Sequence, residues 1–157
     1  MSQCATYNLK TKKIKKKNLN ILIVDDDEEC GECLKIILEN DDHNVTIADE
    51  GAKCISLCQQ NIFDVVFMDY HLEGIDGAHI TQILKENISN HSMILAYTGD
   101  DSKLALNNFK NVGMDGVMIK PINAEHVSKL VKYIEECNGE FNLVSKLVKK
   151  HKNTIIF

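Results

Sequence analysis

Asn20-Ile-Leu-Ile-Val24 runs directly into Asp25-Asp26-Asp27, and the fold follows from that junction. Ile21 to Val24 are apolar without a polar break, and then three carboxylates arrive at once. A half-exposed strand alternates in polarity, whereas an unbroken β-branched run belongs to a strand buried on both faces of a parallel sheet. Four further runs are β-branched and mostly continuous rather than alternating: Val45-Thr-Ile-Ala48, Phe63-Asp-Val-Val-Phe-Met68, Met93-Ile-Leu-Ala-Tyr97 and Gly116-Val-Met-Ile119. Between them lie stretches with helical spacing. Leu34, Ile37 and Leu38 share one face, then Cys54, Ile55 and Cys58, then Ile80, Ile83 and Leu84. Leu104 and Leu106 mark a fourth helix, and Val127, Leu130, Val131 and Ile134 a fifth. Strand and helix alternate five times, which predicts an open doubly wound α/β sheet with right-handed crossovers.

The chain has 157 residues, 44% hydrophobic and 26% charged, which suits about one domain with a sizeable core. No run approaches the roughly 18–20 apolar residues of a membrane span. The N-terminus lacks the apolar segment of a secretory signal. Six Cys are too few for a disulfide scaffold in a chain this long and fit reduced thiols in a cytoplasmic setting. The basic side chains are all Lys, and six fall between Lys10 and Lys17. Residues 1–17 hold no acid, so the rest carries 12 Lys against 23 Asp and Glu, a formal −11. This predicts a basic, disordered tail over 1–18, where nuclear import or nucleic-acid contact would act. The acidic body argues against a nucleic-acid groove and for a cation or a basic partner. Gly139 can stop the fifth helix. Beyond it, Phe141, Val144, Leu147 and Val148 predict a helical C-terminal extension over 138–157. Its apolar end, Ile155-Ile-Phe157, is expected to pack on the domain's own surface, with dimerisation or partner docking as the alternative.

Polar residues fall at consistent places. Asp25 to Asp27 follow the first strand, Asp69 closes the third, Thr98 the fourth and Lys120 the fifth. Ligands of open α/β sheets bind beyond the carboxyl ends of the strands, where the strand order reverses. In the order 2-1-3-4-5 that point lies between strands one and three, which brings the two carboxylate clusters together opposite Thr98 and Lys120. Neighbouring carboxylates raise one another's pKa. A divalent cation relieves the conflict, and Mg2+ takes one or two carboxylates while leaving room for phosphate oxygens. A carboxylate beside Mg2+, an ammonium and a hydroxyl is equipped for phosphoryl transfer.

Ile-Leu-Ile-Val-Asp-Asp-Asp (21–27), Asp-Val-Val-Phe-Met-Asp-Tyr-His-Leu-Glu-Gly-Ile-Asp-Gly (64–77), Leu-Ala-Tyr-Thr-Gly (95–99) and Ile-Lys-Pro-Ile (119–122) resemble the receiver domain of two-component response regulators. The resemblance covers roughly residues 19–137. It implies a flavodoxin-like fold of five parallel strands and five helices. It also implies that Asp69 accepts phosphate from a phosphohistidine on a histidine kinase or a histidine phosphotransfer protein. Asp26 would bind Mg2+ directly and Asp25 through water, joined by Asp69 and the backbone carbonyl of His71. Thr98 would turn toward the phosphoryl group and Lys120 would pair with Asp69. Asp27 would start the first helix. His71 and Asp100 would tune water access, and the bond before Pro121 would be cis.

Two positions depart from the family pattern. Glu73 stands where Pro is usual, which loosens the loop after Asp69. Val117 replaces the usual aromatic switch residue and is too small to swing as one, which puts the conventional output in doubt. Cys30-Gly-Glu-Cys33 has redox spacing, but the acids before it would raise the thiol pKa, and helix packing is the preferred reading. Two alternatives accompany the receiver: a pseudo-receiver that no longer takes phosphate, and a haloacid-dehalogenase-like phosphatase using Asp25 and Asp27. The expected protein is a signalling phosphoacceptor rather than an enzyme, monomeric or weakly dimeric. It would act alone or through its tail and extension on a downstream protein that the residues do not identify.

Overall fold

The central strand-forming runs become strands because helices cover both of their faces, whereas Thr46 of the second run is exposed. The computed structural model describes residues 17–88, 92–121, 123–137 and 154–157. The elements are β1 (Asn20–Val24), α1 (Glu28–Asn40), β2 (Asn44–Ala48), α2 (Gly51–Gln60), β3 (Val65–Asp69), α3 (Gly77–Asn87), β4 (Met93–Thr98), α4 (Lys103–Asn111), β5 (Gly116–Ile119), α5 (Ala124–Glu136) and β6 (Thr154–Ile156). The sheet order is β2-β1-β3-β4-β5-β6, with the first five strands parallel. The predicted order 2-1-3-4-5 is therefore present.

Alternate residues of each strand feed two cores. Ile21, Ile23, Phe67, Leu95 and Tyr97 face Leu34 and Leu38 of α1 and the Val127, Leu130, Val131 and Ile134 stripe of α5. Leu22, Val24, Met68, Ala96 and Val117 face Cys54 and Cys58 of α2, Ile80 and Leu84 of α3, and Phe109 of α4. Four helices begin on a capping side chain. Asp27, Asp76, Ser102 and Asn123 accept from the backbone N–H of Cys30, His79, Ala105 and His126. Each such cap is worth about 1 kcal/mol.

Three details differ from the sequence expectation. β3 starts at Val65, and Phe63 is buried in the segment before it. α4 buries Ala105 and Phe109, four residues apart and so on one face, whereas Leu104 is 81% exposed. The apolar end does pack on the domain, but as a sixth strand. β6 runs antiparallel to β5, with Gly116 opposite Ile156, Val117 opposite Ile155 and Met118 opposite Thr154. The amide of Phe157 continues the ladder to the carbonyl of Asp115 at 3.0 Å. The predicted helix over Phe141 to Val148 and residues 1–16 of the tail lie outside the described residues. Lys17, at the tail's end, pairs with Asp64 at 2.7 Å.

Candidate functional site

Register assembles the site. Val24 of β1 lies opposite Met68 of β3, so Asp25 and Asp69 leave the sheet side by side. Asp69 lies opposite Tyr97 of β4, and Thr98 lies opposite Ile119 of β5. Thr98 and Lys120 therefore follow one step beyond those pairs. α1 and α3 depart to opposite faces of the sheet after β1 and β3, which opens the crevice between these strands.

Asp25 and Asp69 are buried, and Asp26 is exposed. One carboxylate oxygen from each of Asp25, Asp26 and Asp69 lies within 4.8 Å of the others. Lys120 Nζ stands 3.4 Å from Asp25 Oδ2 and 3.6 Å from Asp69 Oδ2. Its ammonium also lies 4.4 Å from the centroid of the Tyr97 ring, a cation–π contact. Each carboxylate has one oxygen engaged by a backbone amide. Asp27 N–H donates to Asp25 Oδ1 at 2.9 Å, His71 N–H to Asp69 Oδ1 at 3.3 Å, and Glu73 N–H to Asp26 Oδ2 at 3.0 Å. Thr98 is buried, and its Oγ1 accepts from the amide of Asp100 at 3.1 Å. Its own hydroxyl proton stays available for another acceptor.

Backbone packing holds these groups. A Cβ on Gly77 would lie 2.1 Å from the carbonyl oxygen of Asp69, so only glycine lets α3 start this close to β3. The Lys120 amide donates to the Thr98 carbonyl at 2.8 Å, and the Lys120–Pro121 bond is cis. Burial raises the Asp69 pKa above the usual carboxylate range. Lys120 opposes that shift, while Asp25 and Asp26 add to it. Three carboxylates against one ammonium leave the cluster two negative charges in excess when all are ionised. Their hard oxygen donors suit Mg2+ in number and type. The acidic surface continues from Asp25 and Asp26 past Glu28, Glu32 and Asp49 around a cavity of about 380 Å3.

The structure also sorts the weaker motifs. Asp27 caps α1 instead of facing the cluster, which removes the second carboxylate of the dehalogenase-like alternative. Burial raises the Cys30 thiol pKa, against a redox nucleophile. Val117 is buried in β5 beside Ile155 of β6. Glu73 is exposed.

Residues 21–132 match the family described as the response regulator receiver domain. The chain belongs to that family. Among curated relatives of this receiver, the "Sensor histidine kinase AruS" of Pseudomonas aeruginosa is 26% identical over 114 residues, 71% of this chain and 11% of that protein. The "Transcription factor SKN7" of Saccharomyces cerevisiae is 25% identical over 144 residues, 88% of this chain and 23% of that protein. The receiver thus spans less than a quarter of either relative. A two-component response regulator from Clostridium difficile superposes with a TM-score of 0.72 at 26% identity, covering 76% of this chain and 97% of that one. The chemotaxis regulator CheY4 of Vibrio cholerae shares the fold, with a TM-score of 0.69 at 24% identity, covering 74% and 98%. Receivers are signalling modules of two-component systems. No helix among the described residues is long and apolar enough to cross a membrane.

Of the strand-end residues named from sequence, Asp25, Asp26, Asp69 and Lys120 meet here, Thr98 ends the neighbouring strand with its carbonyl on the Lys120 amide, and His71 lies in the adjoining loop. Three contributors were not foreseen: the Tyr97 ring under Lys120, the Glu73 amide on Asp26, and the close approach of Gly77 to Asp69. Tyr97 had a signal, since it lies opposite Asp69 in the adjacent strand. The Glu73 amide had a weaker one, the absence at position 73 of the usual Pro, which has no N–H to donate.

Proposed function

We propose that this receiver accepts a phosphoryl group on Asp69 from a phosphohistidine of a histidine kinase or histidine phosphotransfer protein, in a Mg2+-dependent reaction, and changes conformation in response. The observation that supports this most directly is the buried Asp69 carboxylate 3.6 Å from Lys120 Nζ, clustered with Asp25 and Asp26. An Asp69 oxygen attacks phosphorus as the P–N bond to imidazole breaks. The bonding pair stays on the imidazole nitrogen, which takes a proton from solvent, and the product is an acyl phosphate. Asp25, Asp26, Asp69 and the His71 carbonyl would hold Mg2+, which supplies positive charge to the phosphoryl oxygens. Lys120 neutralises a further oxygen, and the Thr98 hydroxyl donates to another once it turns inward. The modification adds about −1.5 to −2 charge by analogy with other phosphosites. Thr98 and Lys120 read that charge and bias α4 and its loops.

On this reading the receiver unit is 19–137, flanked by a basic tail over 1–18 and an extension over 138–157, and it acts alone or through them on a downstream protein in the cytoplasm. Mass spectrometry after incubation with acetyl phosphate tests the chemistry. One phosphoryl increment is expected with Mg2+, none without it, and none in Asp69→Asn. Labelling that survives Asp69→Asn overturns the proposal. An unlabelled wild type at saturating Mg2+ also overturns it and leaves the pseudo-receiver.

A further inference from the structure

Among the described residues, the amide of Glu73 is the one backbone donor in the cluster that comes from a distant stretch of chain. The Asp27 and His71 amides reach carboxylates two residues before them. Glu73 N–H reaches Asp26 Oδ2 across 47 positions, at 3.0 Å, and joins the loop after β1 to the loop after β3. The second loop is tethered on either side of that point. His71 N–H is on Asp69, and Gly77 N–H donates to the Tyr70 carbonyl at 3.1 Å. Gly74, directly after Glu73, takes φ +87°, a conformation that favours glycine, as the chain turns toward α3. Asp26 is the exposed member of the three carboxylates, so burial does little to fix it. The bond engages Oδ2 and leaves Oδ1 for a cation.

We propose that Glu73 is a positioning residue for cation binding, acting through its backbone N–H: it orients the Asp26 carboxylate toward Asp25 and Asp69 and raises Mg2+ affinity. The inference rests on the reading of this cluster as a Mg2+ site. The carboxylate of Glu73 lies outside the cluster formed by Asp25, Asp26 and Asp69. What matters is that position 73 holds a residue with an N–H, which proline lacks. An outer-sphere hydrogen bond that orients a metal ligand is worth about 10–100-fold in metal affinity, and the lower end applies to an exposed ligand.

The test is a Mg2+ titration of the full chain, followed by amide NMR, for the wild type, Glu73→Pro, Glu73→Gln and Asp26→Asn. Glu73→Pro should weaken Mg2+ binding about tenfold. Glu73→Gln keeps the amide and should bind at least about five times more tightly than Glu73→Pro. A Glu73→Pro affinity equal to the wild type's, with Asp26→Asn impaired, overturns the inference and leaves the metal site standing. Equal losses in both Glu73 variants assign the effect to the side chain and also overturn it. If the wild type shows no Mg2+ binding, the metal-site reading fails and the inference with it. Hydrogen exchange at the Glu73 amide keeps the question decidable should the proline variant fold poorly. Asp26→Asn replaces an ionised acceptor with a neutral one, and exchange at Glu73 should quicken; an unchanged rate overturns the inference.

Discussion

Asp69 is a buried carboxylate beside two others. It is 6% exposed, and its carboxyl is held above the usual range by burial first, with Lys120 opposing and Asp25 and Asp26 adding. The raised folded pKa means that the folded protein binds more protons than the unfolded chain between the two values. Stability from this group therefore falls as pH rises through that window, and the penalty is complete above it. Metal-free Asp69→Asn should be more stable than the wild type near neutral pH by about 1 kcal/mol, or about 2–4 °C in melting temperature. The gap should close as pH falls into the ordinary carboxylate range. Thermal melts of both proteins across pH check this, and a gap that ignores pH would remove the electrostatic explanation. Burial also raises the Tyr97 hydroxyl above its ordinary range. Its ring carries the Lys120 ammonium, while its buried hydroxyl finds no hydrogen-bond partner among the described residues.

Elements meet the site through two contacts that tolerate little change. α3 begins on Gly77, where a Cβ would also come within 2.9 Å of Met68 Cγ. Gly77→Ala must push the helix off Asp69. It is expected to cost about 3 kcal/mol, the upper end for overpacking, and to weaken Mg2+ binding along with stability. Denaturant titration measures the first effect and metal titration the second. At the other side of the sheet, β6 covers the edge of β5, the strand that leads into Lys120. An open edge strand invites pairing with another chain. Removing residues 154–157 should cost about 1–2 kcal/mol through lost burial and make self-association concentration-dependent. Melting curves and sedimentation velocity would show both changes, and a truncated chain of unaltered stability would argue that β6 contributes little.

At the scale of the whole molecule, the proposed Mg2+ site links cation binding to folding, because the three carboxylates meet only in the folded chain. Mg2+ at about a hundred times its dissociation constant should add roughly 2.7 kcal/mol of stability. That corresponds to about 5–10 °C in melting temperature, and Asp26→Ala should flatten the response. Most of this architecture was legible beforehand. The continuous runs at Ile21–Val24 and Val65–Met68 announce strands buried on both faces, and the polar residue after each run marks the mouth of the crevice. Leu104 misled because an exposed leucine and a buried one look alike in sequence, and only packing against β5 selected Ala105 and Phe109. Ile155-Ile-Phe157 announced an apolar end without announcing its partner. Sequence alone determined the order of elements, the parallel sheet and the identity of the charged groups at its carboxyl edge, because these rest on local periodicity and residue type. Tertiary structure alone decided the 4.8 Å convergence of the carboxylates, the Tyr97 seat for Lys120, the Glu73 tether and the sixth strand. Those features depend on backbone atoms and on distances between remote segments, which exist only once the chain has closed on itself.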